Sequence, residues 1–111
     1  MSDTISVPAP RRANLRRETR ETRIEASLDL APGEVKVDTG IGFLDHLLSS
    51  LAFHGGFSLA LACRGDLAVD DHHTAEDCGL VLGDLVRQAL GDRLGIRRFA
   101  SAYAPLDEAL A

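Results

Sequence analysis

The chain has no long uninterrupted apolar run. A helix that spans a bilayer needs about 20 mostly apolar residues, so no membrane span is expected. The first ten residues, MSDTISVPAP, lack both the cationic start and the apolar stretch of a secretory signal. They are expected to form a disordered tail, and the cytoplasm is the expected compartment. Cysteine is scarce: Cys63 and Cys78 stand alone, without the close pairing of a thiolate metal site. In the absence of a secretory signal, both are expected to be reduced, buried thiols. Excess positive charge is missing too. A net charge of −5 does not suit a nucleic-acid binder, and no such partner is expected.

What is present reads as one ordinary globular domain over residues 11–111, with 45% hydrophobic and 26% charged residues. Charge is unevenly placed. Residues 11–25 carry six arginines against three glutamates, and the rest of the chain is acidic. The plain reading of this arm is a solvated edge strand whose arginines pair with neighbouring glutamates. Contact with RNA is a weaker alternative.

TRIEASLDL (22–30) alternates apolar and polar residues, with Ile24, Ala26, Leu28 and Leu30 on one face, the pattern of a half-buried strand. APGE is a turn signal, and VKVDT is expected to return as the hairpin partner. From Phe43 the period changes. Phe43, Leu44, Leu47, Leu48, Leu51 and Ala52 predict an amphipathic helix over 43–53, closed by His54-Gly55-Gly56. FSLALACR (57–64) and DLAVD (66–70) are strand-like. A second helix is expected from about Thr74 to Leu90, with Leu82, Leu85, Val86, Ala89 and Leu90 inward, and with Gly79 and Gly83 allowing close approach to the sheet. YAPLDEALA begins another element that the chain does not complete. The order predicts an α/β two-layer sandwich, a mostly antiparallel sheet with two helices on one face.

DDHHTAED (70–77) concentrates four carboxylates and two imidazoles in eight positions. Thr74 and Asp77 have capping-box spacing, and acids suit a helix start, so each carboxylate has an ordinary structural explanation. The histidines add another. His72 and Glu76 are four apart and His73 and Glu76 three apart, so either pair can meet on one helical face. Adjacent histidines diverge, which points to two metal sites or to one site shared with a neighbouring chain. His46 follows Asp45 on the first helix, and His54 reads as a helix-end residue. Imidazole plus carboxylate, from His46, His72, His73 and Glu76, suits manganese, iron, cobalt or zinc in an open coordination. Asp45, Asp70 and Asp71 are candidates to orient the imidazoles.

RETRETRIE, TGIGFLDHLLSSLAFHGGF, GDLAVDDHHTAEDCGLVLGDLVRQALGDRLGIRRF and PLDEAL, in that order, closely resemble the imidazoleglycerol-phosphate dehydratases of histidine biosynthesis. The resemblance implies a metal-dependent hydro-lyase that uses Mn2+ to remove water from imidazole glycerol phosphate, giving imidazole acetol phosphate. It implies a duplicated ribosomal-S5-domain-2-like fold, of which this chain would be a single repeat, and homo-oligomers with active sites between chains. Carried over, His46, His72, His73 and Glu76 match metal ligands, Glu21 matches an acid–base carboxylate, and Arg98 matches a contact to the substrate phosphate. Ser49-Ser50 stand where the family usually has Asp-Gln. The expected function is a half-length dehydratase. The alternative is a metal-binding, self-assembling half-domain without useful catalysis.

Overall fold

The computed structural model describes residues 10–111. The tail expected over residues 1–10 therefore lies, but for Pro10, outside the described residues. The elements are β1 (Arg12–Glu18), β2 (Thr22–Asp29), β3 (Val35–Asp38), α1 (Gly42–Gly55), β4 (Ser58–Gly65), α2 (His72–Leu90), β5 (Pro105–Leu106) and β6 (Ala109–Leu110). The first four strands form one sheet in the order β1-β2-β4-β3, and the last two form a small separate hairpin.

The alternation over 22–30 does produce a half-buried strand. Thr22, Ile24, Ala26 and Leu28 are buried, while Arg23, Glu25 and Ser27 face solvent. Strand β4 repeats the pattern with Leu59, Leu61 and Cys63 inward. Both helices cover this single apolar face, α2 on β1, β2 and β4, and α1 on β3 and β4. Burying side chains such as Ile24, Leu59 or Leu85 stabilises the fold by about 1.5–3 kcal/mol each.

The arginine-rich arm is the edge strand β1. Arg16 pairs with Glu25 at 3.5 Å and Arg12 with Asp29 at 3.9 Å, both across the β1–β2 ladder. Arg23 contacts Glu18 at 3.1 Å.

Strand β3 is not the hairpin partner of β2. Instead β4 lies between them, antiparallel to β2 and parallel to β3. An eight-residue strand offers β2 a full matching apolar row, whereas β3 has only four residues. The parallel β3–β4 pair needs a crossover, which α1 supplies. DLAVD is likewise not a strand. Residues 67–69 form a turn in which the Val69 amide donates to the Asp66 carbonyl at 2.8 Å, and Leu67 and Val69 are exposed. Alternation without a covering layer produced the strand signal there.

Helix α2 begins at His72, earlier than expected, and its first residues do not form a capping box. Asp71 is the N-cap and gives no side-chain cap. Thr74 and Asp77 turn inward, with Cys78, Val81, Leu85 and Ala89 completing the buried stripe. The inward face is therefore rotated toward Cys78 and Val81, leaving Leu82 and Val86 half-buried. Gly79 and Gly83 face away from the sheet, and a Cβ on either would meet nothing within 4 Å. The close approach is at Gly65 instead, where a Cβ would collide with the Thr74 hydroxyl at 1.9 Å.

Helix α1 ends as its glycines suggest, with Gly56 in the left-handed region at φ 73°. Its apolar stripe is only partly used. Ala52 is fully buried, but Phe43 (72%), Leu47 (48%) and Leu51 (50%) are open to solvent. They recur every four residues along one side of the helix.

Candidate active site

The sheet end where β2 begins and β4 stops carries most of the chemistry. Thr22 pairs with Gly65 in the ladder. This brings the β1–β2 turn, with Glu21, beside Asp66, and the two line a recess of about 400 Å³. Helix α2 starts just beyond and delivers His72 and His73 to the same end.

The two histidines diverge, as neighbours on a helix must. Their ring centroids are 5.5 Å apart at 65°. His72 Nε2 lies 3.0 Å from Glu76 Oε2, one helical turn along, and both side chains are well exposed. His73 turns back toward the sheet, where its Nδ1 lies 2.7 Å from Asp66 Oδ2. The Asp66 hydrogen bond raises the His73 pKa above the ordinary imidazole value. Partial burial opposes this, while the charges of Asp66, Glu21 and Asp77 add to it.

Beneath the histidines, Asp77 ties the helix to the sheet. It accepts a 2.5 Å hydrogen bond from the Thr22 hydroxyl and lies 2.7 Å from Arg17 Nη1. Burial alone would raise its pKa. The contacts with Thr22 and Arg17, together with the charges of Arg17 and His73, outweigh burial and hold the carboxyl below its usual value. Cys63 and Cys78 lie in the core as unbonded thiols. Desolvation, with the charge and hydrogen bond of Cys63, pushes the Cys78 thiol up to about 12.

The structure thus sets Glu21 at the sheet end where His73 meets Asp66, and brings His72 close to Glu76. It does not join His46 or Arg98 to them. His46 stands exposed on α1, and Arg98, in the loop after α2, donates to the Arg93 carbonyl at 3.4 Å. Among the described residues no three His, Cys, Asp or Glu side chains gather where one ion could be held. Of the acids expected to orient the imidazoles, Asp71 gives no side-chain cap and the other two are engaged elsewhere. Asp45 accepts from the Thr39 amide and hydroxyl, and Asp70 accepts from the Asp71 amide. Asp66 is the carboxylate that meets an imidazole. It was missed because the segment it opens reads as a strand, whose residues would point away from the following helix.

Comparison with known proteins identifies the family. A family model described as imidazoleglycerol-phosphate dehydratase matches residues 39–111. Curated relatives carrying that name include one from Chlorobium luteolum, 52% identical over 107 residues, covering 96% of this chain and 54% of the relative. Another, from Phaffia rhodozyma, is 54% identical over 106 residues, covering 90% of this chain and 52% of the relative. The crystal structure of imidazoleglycerol-phosphate dehydratase from Staphylococcus aureus matches with a TM-score of 0.76 at 32% identity, over 89% of this chain and 53% of that one. The chain spans about half the length of these relatives.

Proposed function

The chain belongs to the imidazoleglycerol-phosphate dehydratase family, and from that premise we propose that it is a half-length dehydratase subunit of histidine biosynthesis. Its substrate would be imidazole glycerol phosphate and its product imidazole acetol phosphate. The observation that carries the reading is the shared sheet end. There Glu21 lines the same recess as Asp66, the carboxylate that meets His73, while His72 stands beside Glu76 on the next turn.

We assign the metal to His46, His72, His73 and Glu76, with Mn2+ as the expected ion. The donor set suits it, being imidazole and carboxylate without thiolate. Ligands about 2.1 Å from one ion and at right angles lie about 3.0 Å apart, the separation of His72 Nε2 and Glu76 Oε2. Bound there, the metal would supply Lewis acidity toward the substrate's imidazole. Glu21 would move the protons of the elimination: one leaves a substrate carbon as hydroxide leaves its neighbour, and together they make water. The exposed Arg98 guanidinium would take the substrate phosphate.

We further assign the working form to a homo-oligomer with sites between chains. Two features support this. The ligands of one chain do not gather around a single point, and the Phe43-Leu47-Leu51 stripe is left uncovered. No helix among the described residues is long and apolar enough to cross a membrane, and the relatives are biosynthetic enzymes, in keeping with a cytoplasmic location.

The test is formation of imidazole acetol phosphate, with Mn2+ present, by the purified chain alone and mixed with the remaining half of the Chlorobium luteolum relative. A homo-oligomer can duplicate its own ligands but cannot supply side chains it does not encode. Weak turnover alone and clear turnover in the mixture are expected. No product in either would overturn the reading.

A further inference from the structure

We infer that Asp66 is a positioning residue that holds neutral His73 as its Nδ1–H tautomer and leaves Nε2 free as the ligating atom. The inference rests on the reading of His73 as a metal ligand and adds the group that aims it.

The backbone of Asp66 is fixed from both sides. Gly65, just before it, pairs with Thr22 at the last rung of the β2–β4 ladder. Its own carbonyl accepts from the Val69 and Asp70 amides at 2.8 and 3.3 Å, which closes the turn into α2. The missing Cβ of Gly65 lets the Thr74 side chain sit against the end of the strand, which sets the start of the helix beside Asp66. His73, on the first turn, is thereby presented to a carboxylate that cannot swing far.

The chemistry then leaves one choice. An ionised carboxylate only accepts, so a neutral imidazole bonded to it through Nδ1 carries its proton there, and its Nε2 lone pair is free. Among the described residues Asp66 has no competing side-chain partner. Its other oxygen, Oδ1, is buried without a hydrogen bond among the described residues, and the side chain is only 21% exposed. Holding a half-satisfied carboxylate out of water is unfavourable unless the group is otherwise used. A carboxylate behind a ligating imidazole fixes ring orientation and raises ligand basicity.

The test uses the full chain, first free of metal. Two-bond 1H–15N correlation spectra at pH about 9, well above an ordinary imidazole pKa, report the tautomer of each histidine, with His46 and His54 as internal references. Wild type is expected to show His73 as Nδ1–H. Asp66→Ala should shift it toward Nε2–H, as in an unconstrained imidazole. Asp66→Glu, which keeps a group that only accepts, should retain Nδ1–H and tests the idea even if the alanine variant does not fold. Titration with Mn2+ alone should then show affinity about 10–100-fold weaker in Asp66→Ala. An Nδ1–H tautomer that survives in Asp66→Ala, or is absent from wild type or from Asp66→Glu, overturns the inference. So does a tautomer change with unaltered Mn2+ affinity. If wild type binds no Mn2+ while the tautomer still follows Asp66, the metal reading fails and the positioning of the ring stands.

Discussion

Removing the Asp77 carboxylate should loosen the clamp between the two halves of the candidate site. Asp77 lies one turn beyond His73, and its partner Thr22 is next to Glu21, so this contact holds the histidine-bearing helix against the turn that carries the carboxylate. Asp77→Asn keeps the shape and an acceptor for Thr22 but turns an amide toward Arg17. Hydrogen bonds to charged groups contribute about 1.5–3 kcal/mol. The Arg17 side chain is 36% exposed, so water screens the pair, and a loss near the low end, about 1.5 kcal/mol, is expected. Asp77→Ala also takes the stronger partner from the hydroxyl of Thr22, a residue only 3% exposed, leaving it the 3.3 Å contact with the Thr19 hydroxyl. That adds about 1–2 kcal/mol, for a total of about 3. In a domain of this size the two variants should melt about 6 and 12 °C below wild type. Urea unfolding followed by far-UV circular dichroism, with metal chelated, measures both losses. The pH dependence follows from the lowered Asp77 pKa. Its stabilisation is present above the unfolded value of about 3.9 and is lost as pH falls through the lower folded value. The gap between wild type and Asp77→Asn should therefore be full at pH 7 and shrink below about pH 4. An Asp77→Ala variant within 0.5 kcal/mol of wild type at pH 7, about the scatter of ordinary surface substitutions, would refute this account of the clamp.

Glu21→Gln should keep metal content and oligomer size while lowering dehydration about 10²–10⁴-fold; His72→Ala should lower metal content and assembly together, as metal analysis and light scattering would show. The raised pKa of His73 has the opposite sign to that of Asp77. In metal-free protein the extra stabilisation from charged His73 beside Asp66 is full below about pH 6.5 and is lost as pH rises through the higher folded value, leaving the hydrogen bond of the neutral ring. A His73→Gln variant should therefore fall furthest below wild type in acid and approach it in alkali. With metal present, protons compete for the same ring, so occupancy should begin to fall at a higher pH than for an ordinary imidazole; a metal titration at several pH values checks this. With its thiol pushed up to about 12, Cys78 should resist alkylation at pH 8 in the native protein and react on unfolding, as mass spectrometry would report.

How much of this was legible in the sequence depended on whether the signal was local. The alternation at Ile24, Ala26 and Leu28 and the helical period from Phe43 to Ala52 are properties of single segments, and both elements form. Arg16 and Glu25 pair across β1 and β2 as an edge strand's charges should. Strand order was not legible, because it depends on which apolar row lies opposite which. A four-residue β3 cannot compete with β4 for the long edge of β2. Periodicity also tells which residues are apolar but not whether anything covers them. The exposed Leu67 and Val69 therefore read as a strand, and on α2 Leu85 and Ala89 are inward as expected while Cys78 and Val81 take the places expected of Leu82 and Val86. For the site, His72 and Glu76 were legible because helical spacing alone brings them together. Asp66 was not, since its meeting with His73 depends on the turn geometry at Gly65.

In the proposed working form the ligands of one chain are only part of a metal site, which a neighbouring chain completes. Light scattering at neutral pH, after chelation and again after adding Mn2+, tests it most directly. The expected result is a smaller species without metal and a larger one, at a multiple of the 11.9 kDa chain, when Mn2+ is restored. A mass that does not change between the two conditions would contradict it.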